Sequence, residues 1–283
     1  MNIQSLSICV PAGCPNGCPF CISRMRGASN NDVNDVITLE KQHAIKKRIA
    51  YARDNGCNTL LLTGTGEPIN NMGYIQTILN LNDELRQPFR HIELQTSGVG
   101  LPAKITKLKT MGIETISLSI ADITSPKRNR KIMGIDKDID GSDFVGVSEI
   151  IKDHGLNLRI SLNMISIYKD FKIRQILDFL HTLEADQVTF RFLEVIGENE
   201  WAEWTKENRL ARDAFKDLTR QVKHLGTPLE KLPFGQTRYS LEGISTVFDN
   251  DCMNRSVKEN IKYLILQDNK LFTKWNDRGS LLF

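Results

Sequence analysis

The residues best suited to chemistry in this 283-residue chain lie in one short stretch, CPNGCPFC, where Cys14, Cys18 and Cys21 have the spacing C-x3-C-x2-C. Two prolines and a glycine curl the backbone there, so three thiolates can face one centre. Thiolates are soft ligands, suited to iron–sulfur clusters and to zinc. A four-iron cluster on three thiolates keeps one iron open for a small chelating molecule, whereas a structural zinc needs a fourth ligand. The sequence holds no second C-x2-C pair, and the nearest histidine is His43. Cys9 is a fourth ligand in principle, but its apolar strand setting reads better as a buried structural thiol. Cys57 and Cys252 stand far from the group, and clustered thiols in a reducing compartment are metal or redox groups more often than disulfides.

Polar residues that could hold a ligand recur at the ends of successive apolar runs. TGTGEP (63–68) carries Gly64 and Gly66, whose backbone a ligand can approach, then Glu67, a carboxylate suited to an ammonium group, and Pro68. The next run ends in Gln95, Thr96 and Ser97. Ser117 and Ser119 share one face of the following run by parity, as do Ser161 and Asn163 of the run after it. For each, a hydroxyl or amide that merely satisfies backbone is the competing reading. VTFRFLEV sets Arg191 and Glu194 in an apolar run, where a charge needs a partner or a cavity. Both are candidate substrate contacts, Arg191 for a carboxylate or phosphate, with a rim salt bridge as the alternative.

The elements that position these residues follow one rhythm. QSLSICV (4–10) precedes a helical stretch (38–56) that opens on Thr38 and closes on Gly56. Strands are predicted at 59–64, 91–98, 115–120, 158–165 and 187–195, with amphipathic segments between them. Strand–helix–strand alternation implies parallel pairing through right-handed crossovers, so the predicted class is α/β, a partial (β/α)6 TIM-like barrel. A core domain over 1–215 and a small, partly antiparallel extension over 216–283, a lid or substrate-side flank, complete the expectation, with QDNK as a hairpin turn.

Composition narrows the classes. Lys and Arg (37) against Asp and Glu (34) leave +3, which neither supports nor excludes nucleic acid. No run of about 18 apolar residues and no basic leader occurs, so the expectation is a cytoplasmic protein without a membrane span. KRNRK (127–131) reads as a solvated loop ahead of a phosphate or RNA contact, and Trp201 and Trp204 as cover for the core.

CPNGCPFC, with Phe20 directly before the last cysteine and a strand before the loop, resembles the signature of the radical S-adenosylmethionine (SAM) superfamily. The resemblance implies a [4Fe–4S] cluster on Cys14, Cys18 and Cys21, with the amino and carboxylate groups of SAM on the open iron. It implies reductive cleavage of SAM to methionine and a 5′-deoxyadenosyl radical, fed by a flavodoxin- or ferredoxin-type donor. TGTGEP is similar to the superfamily's Gly-Gly-Glu segment, which binds the amino group of SAM. Phe20, Gly64, Gly66, Glu67, Pro68, Thr96, Ser117, Ser119, Ser161 and Asn163 are then the expected SAM contacts. The core is most similar to the GTP 3′,8-cyclase type, on SLSIADITSPKRNRKIMG (117–134) and FRFLEV (190–195). That family places three cysteines for a second cluster in its tail, where this sequence offers only Cys252. The expected substrate is therefore a small molecule held by ordinary side chains, a nucleotide or sugar derivative, ahead of a peptide or RNA. A non-catalytic iron–sulfur or zinc protein that binds a partner or senses redox state is the alternative from another class.

Overall fold

The computed structural model describes residues 2–27, 37–232, 235–251, 260–275 and 277–283; Cys252 lies outside them. The strands are β1 (Asn2–Val10), β2 (Thr59–Gly64), β3 (His91–Thr96), β4 (Thr115–Ile120), β5 (Asn157–Met164), β6 (Gln187–Phe192), β7 (Thr227–Lys231), β8 (Thr237–Leu241), β9 (Ile244–Asp249), β10 (Asn260–Gln267) and β11 (Lys270–Phe272). The helices are α1 (Ile22–Met25), α2 (Leu39–Asp54), α3 (Met72–Asp83), α4 (Ile105–Thr110), α5 (Pro126–Met133), α6 (Phe144–Asp153), α7 (Ile173–Thr182), α8 (Glu200–Asn208) and α9 (Arg212–Leu225).

β1 to β6 lie side by side in sequence order and all run parallel, the six-stranded partial barrel that the alternation predicts. α2 begins where expected, with the Thr38 hydroxyl accepting from Lys41 N at 3.3 Å, a cap worth about 1 kcal/mol. Side-chain alternation divides each strand. Leu6, Ile8, Leu60, Leu62, Leu94, Ile116, Leu118, Ile160, Leu162 and Phe190 are fully buried, sharing one core with Ile49 of α2, Ile75 and Ile78 of α3, and Ile176 and Leu180 of α7. Each such side chain contributes roughly 1.5–3 kcal/mol by burial. The opposite face carries Ser5, Ser7, Ser117, Ser119, Ser161 and Thr189, too small to fill a barrel interior as branched residues do, and a cavity is left beside them.

In the carboxyl-terminal part, residues 215 and 216 lie inside α9, and the strands that follow join the same sheet. β9 pairs parallel with β6, and β10 pairs parallel with β1, so eight consecutive strands run parallel. The physical reason is the edge: β1 and β6 would otherwise present unpaired N–H and C=O groups. The antiparallel character predicted for this part is present at the two ends of that run, where β8 pairs with β9 and with β7, and β11 pairs with β10. The QDNK hairpin forms with Asp268 and Asn269 at φ of 49° and 57°, as a two-residue primed turn requires.

KRNRK is not a loop. It lies in α5, capped by the Ser125 hydroxyl accepting from Arg128 N at 3.3 Å and started by Pro126. Asn129 is buried, accepting from Ala121 N and Asp122 N at 2.8 and 3.2 Å, and Arg128 pairs with the buried Asp122 at 2.6 Å. No described helix is long and apolar enough to cross a membrane.

Candidate functional site

The cysteine loop follows β1 and is fastened from two sides. Gly17 N donates to Met133 O at 3.0 Å and to Gly134 O at 3.1 Å, and the Cys18 thiol reaches Met133 O at 3.3 Å. Gly134 ends α5 at φ +58°, and a Cβ there would stand 2.6 Å from Gly17 Cα, so both conformation and contact demand glycine. From the other side, Arg24 Nη2 donates to Asn16 O at 2.8 Å while its guanidinium lies 4.7 Å from the Trp201 ring. Trp204 meets Phe20 at a centroid distance of 6.2 Å. The two tryptophans of α8 thus cover the cysteine loop itself, a more specific place than the general core cover that their spacing suggests.

Burial pushes the Cys14 thiol up to about 11, with Glu67 and Cys21 adding to the rise and the Asn16 backbone N–H opposing it. Burial raises Cys18 further, followed by the charges of Cys21 and Cys14. Bare, Cys14 and Cys18 hold their protons at neutral pH; a bound metal centre replaces those protons, because coordination stabilises the thiolate.

The turn after β2 is laced to this loop. Glu67 N and Asn70 Nδ2 both donate to Gly13 O at 3.2 Å, and Asn71 Nδ2 donates to Pro11 O at 2.7 Å. A Cβ on Gly66 would stand 2.1 Å from Ala12 O, and one on Gly64 would stand 3.1 Å from Val10 O. These glycines admit a close approach of protein backbone on the side a Cβ would occupy. Glu67 is held by the protein at both carboxylate oxygens. Its Oε1 accepts from Thr96 Oγ1 at 2.6 Å, and its Oε2 accepts from Ser97 N at 2.9 Å and Ser97 Oγ at 2.6 Å. The carboxylate is 2% exposed and ties the end of β2 to the end of β3. Burial raises its pKa, and the three hydrogen bonds oppose the rise.

A cavity of about 420 Å³ opens beside the cysteine loop. Its wall brings together Cys14, Cys18, Cys21, Phe20, Gly64, Gly66, Glu67, Pro68, Thr96, Ser117, Ser119, Ser161, Asn163, Arg191 and Glu194. Some of these are already bonded within the protein: Asn163 Nδ2 donates to Ser119 Oγ at 3.0 Å, and Arg191 Nε donates to Ser161 Oγ at 2.9 Å. Two buried polar atoms in the wall have no partner, Asn16 Oδ1 and Ser117 Oγ.

The cavity continues down to Thr59, Arg159 and Lys262, each within the first three residues of its strand. Here lie charged groups that the sequence reading missed. Arg159 Nη1 pairs with the buried Glu93 at 2.5 Å, and Lys262 Nζ pairs with the buried Asp249 at 2.5 Å. Burial alone would raise Asp249, but Lys262 and then Arg191 hold it below the usual carboxylate range. Glu93 and Arg159 had a visible signal, since each alternates with polar residues on its strand. Asp249 and Lys262 had none, because they meet only when strands at opposite ends of the parallel run close on each other. Three thiols, two orphaned polar atoms and two buried ion pairs thus line one chamber.

Comparison with known proteins agrees with this geometry. The family model described as the radical SAM superfamily matches residues 8–183. A GTP 3′,8-cyclase of Alkaliphilus oremlandii (strain OhILAs) is 27% identical over 268 residues, covering 89% of this chain and 77% of that protein. A probable dual-specificity RNA methyltransferase RlmN of Clostridioides difficile (strain 630) is 30% identical over 140 residues, 46% of this chain and 37% of that protein. The crystal structure of Streptococcus suis SuiB bound to S-adenosylmethionine superposes with a TM-score of 0.59 at 14% identity, covering 93% of this chain and 58% of that one. AdoMet-bound anSMEcpe gives 0.55 at 16% identity, over 78% of this chain and 59% of that one. These two likenesses are of fold, and the chain spans under three fifths of the length of either structure.

Proposed function

Because the chain belongs to the radical SAM superfamily, we propose that it abstracts a hydrogen atom from a small molecule, a nucleotide or sugar derivative, bound in the charged floor of its barrel. It is an enzyme whose cofactors are a [4Fe–4S] cluster and SAM. When bound, the cluster supplies one electron to SAM, releasing methionine and a 5′-deoxyadenosyl radical. In this reading Cys14, Cys18 and Cys21 hold the cluster, and the orphaned Asn16 Oδ1 and Ser117 Oγ fit a ligand with both donors and acceptors. Phe20 and the 64–68 turn wall the SAM region, beside Thr96, Ser119, Ser161 and Asn163. Trp204 packs on Phe20 of the loop, and Trp201 on the Arg24 guanidinium that holds Asn16.

The observation that carries the substrate class is the single chamber running from the thiols to Arg159, Arg191 and Lys262. At about 420 Å³ it lies at the small end of the ~300–1,000 Å³ range of small-molecule sites, and SAM occupies part of it. Arg159 and Lys262 are paired with Glu93 and Asp249, so a carboxylate or phosphate would share these cations through their remaining N–H donors, and Glu194 stands in the same wall for a hydroxyl or amine. The GTP of the cyclase relatives falls in this chemical class. The electron comes from a flavodoxin- or ferredoxin-type donor in the cytoplasm. The test is transfer of deuterium from labelled candidates into 5′-deoxyadenosine. Label arriving from a nucleotide or sugar derivative supports the reading; label arriving only from a peptide or an RNA overturns it.

A further inference from the structure

We infer that Asn16 is a direct contact of SAM, its side-chain oxygen accepting a hydrogen bond from the amino group of the methionine moiety. The inference rests on SAM binding and not on the proposed substrate, so the two can fail separately.

Asn16 lies between Cys14 and Cys18 and is 3% exposed, with Oδ1 buried in the cavity wall and unpartnered. A buried acceptor without a donor costs folding free energy, and native proteins keep such groups where a ligand completes them. The rest of the residue is held. Its backbone N–H points to the Cys14 sulfur, and its carbonyl accepts from Arg24 Nη2 at 2.8 Å. The side chain is thus set beside a cluster ligand by bonds that do not involve the side chain.

The position of Glu67 makes the assignment specific. Glu67 is the acceptor that the sequence offers to an ammonium group, but three donors from Thr96 and Ser97 already bind its two oxygens. The amino group of a SAM held beside the cysteine loop would carry N–H donors that an acceptor on that loop could take. Asn16 Oδ1 is a buried acceptor on that loop with no competing partner. Ser117 Oγ, the other orphan, is a hydroxyl on β4 and can donate as well as accept, which suits a carboxylate or ribose.

The test uses the anaerobically reconstituted holoenzyme, with iron and sulfide assayed first. SAM dissociation constants are measured by equilibrium dialysis for the parent, Asn16→Ala and Asn16→Asp. They are measured again with S-adenosyl-4-methylthiobutyrate, which is SAM without its amino group. The alanine variant should bind SAM about tenfold more weakly, ~1.4 kcal/mol, and should bind the analogue within about twofold of the parent. The aspartate variant, which keeps the acceptor and discards the donor, should bind SAM at least as tightly as the parent. Parent-like affinity in N16A, an equal loss for the analogue, or a loss in N16D matching that in N16A would each overturn the inference. Where N16A takes up less iron than the parent, N16D alone decides, because it preserves size and acceptor together.

Discussion

Replacing Lys262 by methionine should destabilise the fold by about 3–5 kcal/mol at neutral pH, although it keeps most of the apolar stem. Lys262 on β10 and Asp249 on β9 are both buried and stand 2.5 Å apart, joining the two ends of the run of eight parallel strands. At an effective dielectric constant of about 20, two unit charges at that separation attract by roughly 7 kcal/mol, most of which offsets desolvation. Removing only the lysine leaves the carboxylate buried, with Arg191, its neighbour in register on β6, as the main remaining compensation. The cost should therefore lie at the lower end of the range. The double variant Lys262→Met with Asp249→Asn should be more stable than the single one, because no buried anion remains. The sign of the pH effect follows from Asp249. In the parent its folded pKa lies below the unfolded value of about 3.9, so its contribution is present above that pH and is lost as pH falls through the folded pKa. Without Lys262, burial raises the folded pKa, so the variant should recover stability as pH falls from 7 toward about 5. Guanidinium titrations at both pH values measure this. A variant within about 1 kcal/mol of the parent at pH 7, or a gap that does not narrow on acidification, would refute the reasoning.

Two further substitutions probe the lacing of the loops. Gly66→Ala places a Cβ 2.1 Å from Ala12 O, a backbone atom that cannot move aside alone. It should cost roughly 1–3 kcal/mol and lower the iron content after reconstitution, both measurable on one preparation. Glu67→Ala strands the Thr96 and Ser97 hydroxyls and Ser97 N, so about 3 kcal/mol should be lost in guanidinium titration. Since Glu67 ties the end of β2 to β3 while lining the cavity, the conservative Glu67→Gln should restore more stability than Glu67→Ala, and equal losses would speak against that tie.

Much of the fold was legible because its signals are local. TLLLTG and TISLSI are the bounds of β2 and β4 residue for residue, since an apolar run between turn residues determines its own extent. Ser117 and Ser119 of β4 and Ser161 and Asn163 of β5, which parity puts on one face of each strand, do line one cavity. What escaped the reading is non-local. Asn2 pairs with Asn260 across nearly the whole chain, and no feature of β10 by itself tells which edge it will cover. The Asp249–Lys262 pair is hidden for the same reason. TGTGEP did not reveal its contacts within the protein: Gly66 admits the backbone of residues 12–13, Gly64 that of Val10, and Glu67 binds β3, while all three also line the cavity. KRNRK carried a capping serine and a proline before it, a helix start that its charge run obscured.

The central claim, that Cys14, Cys18 and Cys21 hold a cluster that cleaves SAM, has one direct test. Protein reconstituted anaerobically with iron and sulfide, then given dithionite and SAM, should release 5′-deoxyadenosine, and Cys14→Ala should release none. Absence of 5′-deoxyadenosine from the reconstituted parent, or equal release from Cys14→Ala, would contradict the account.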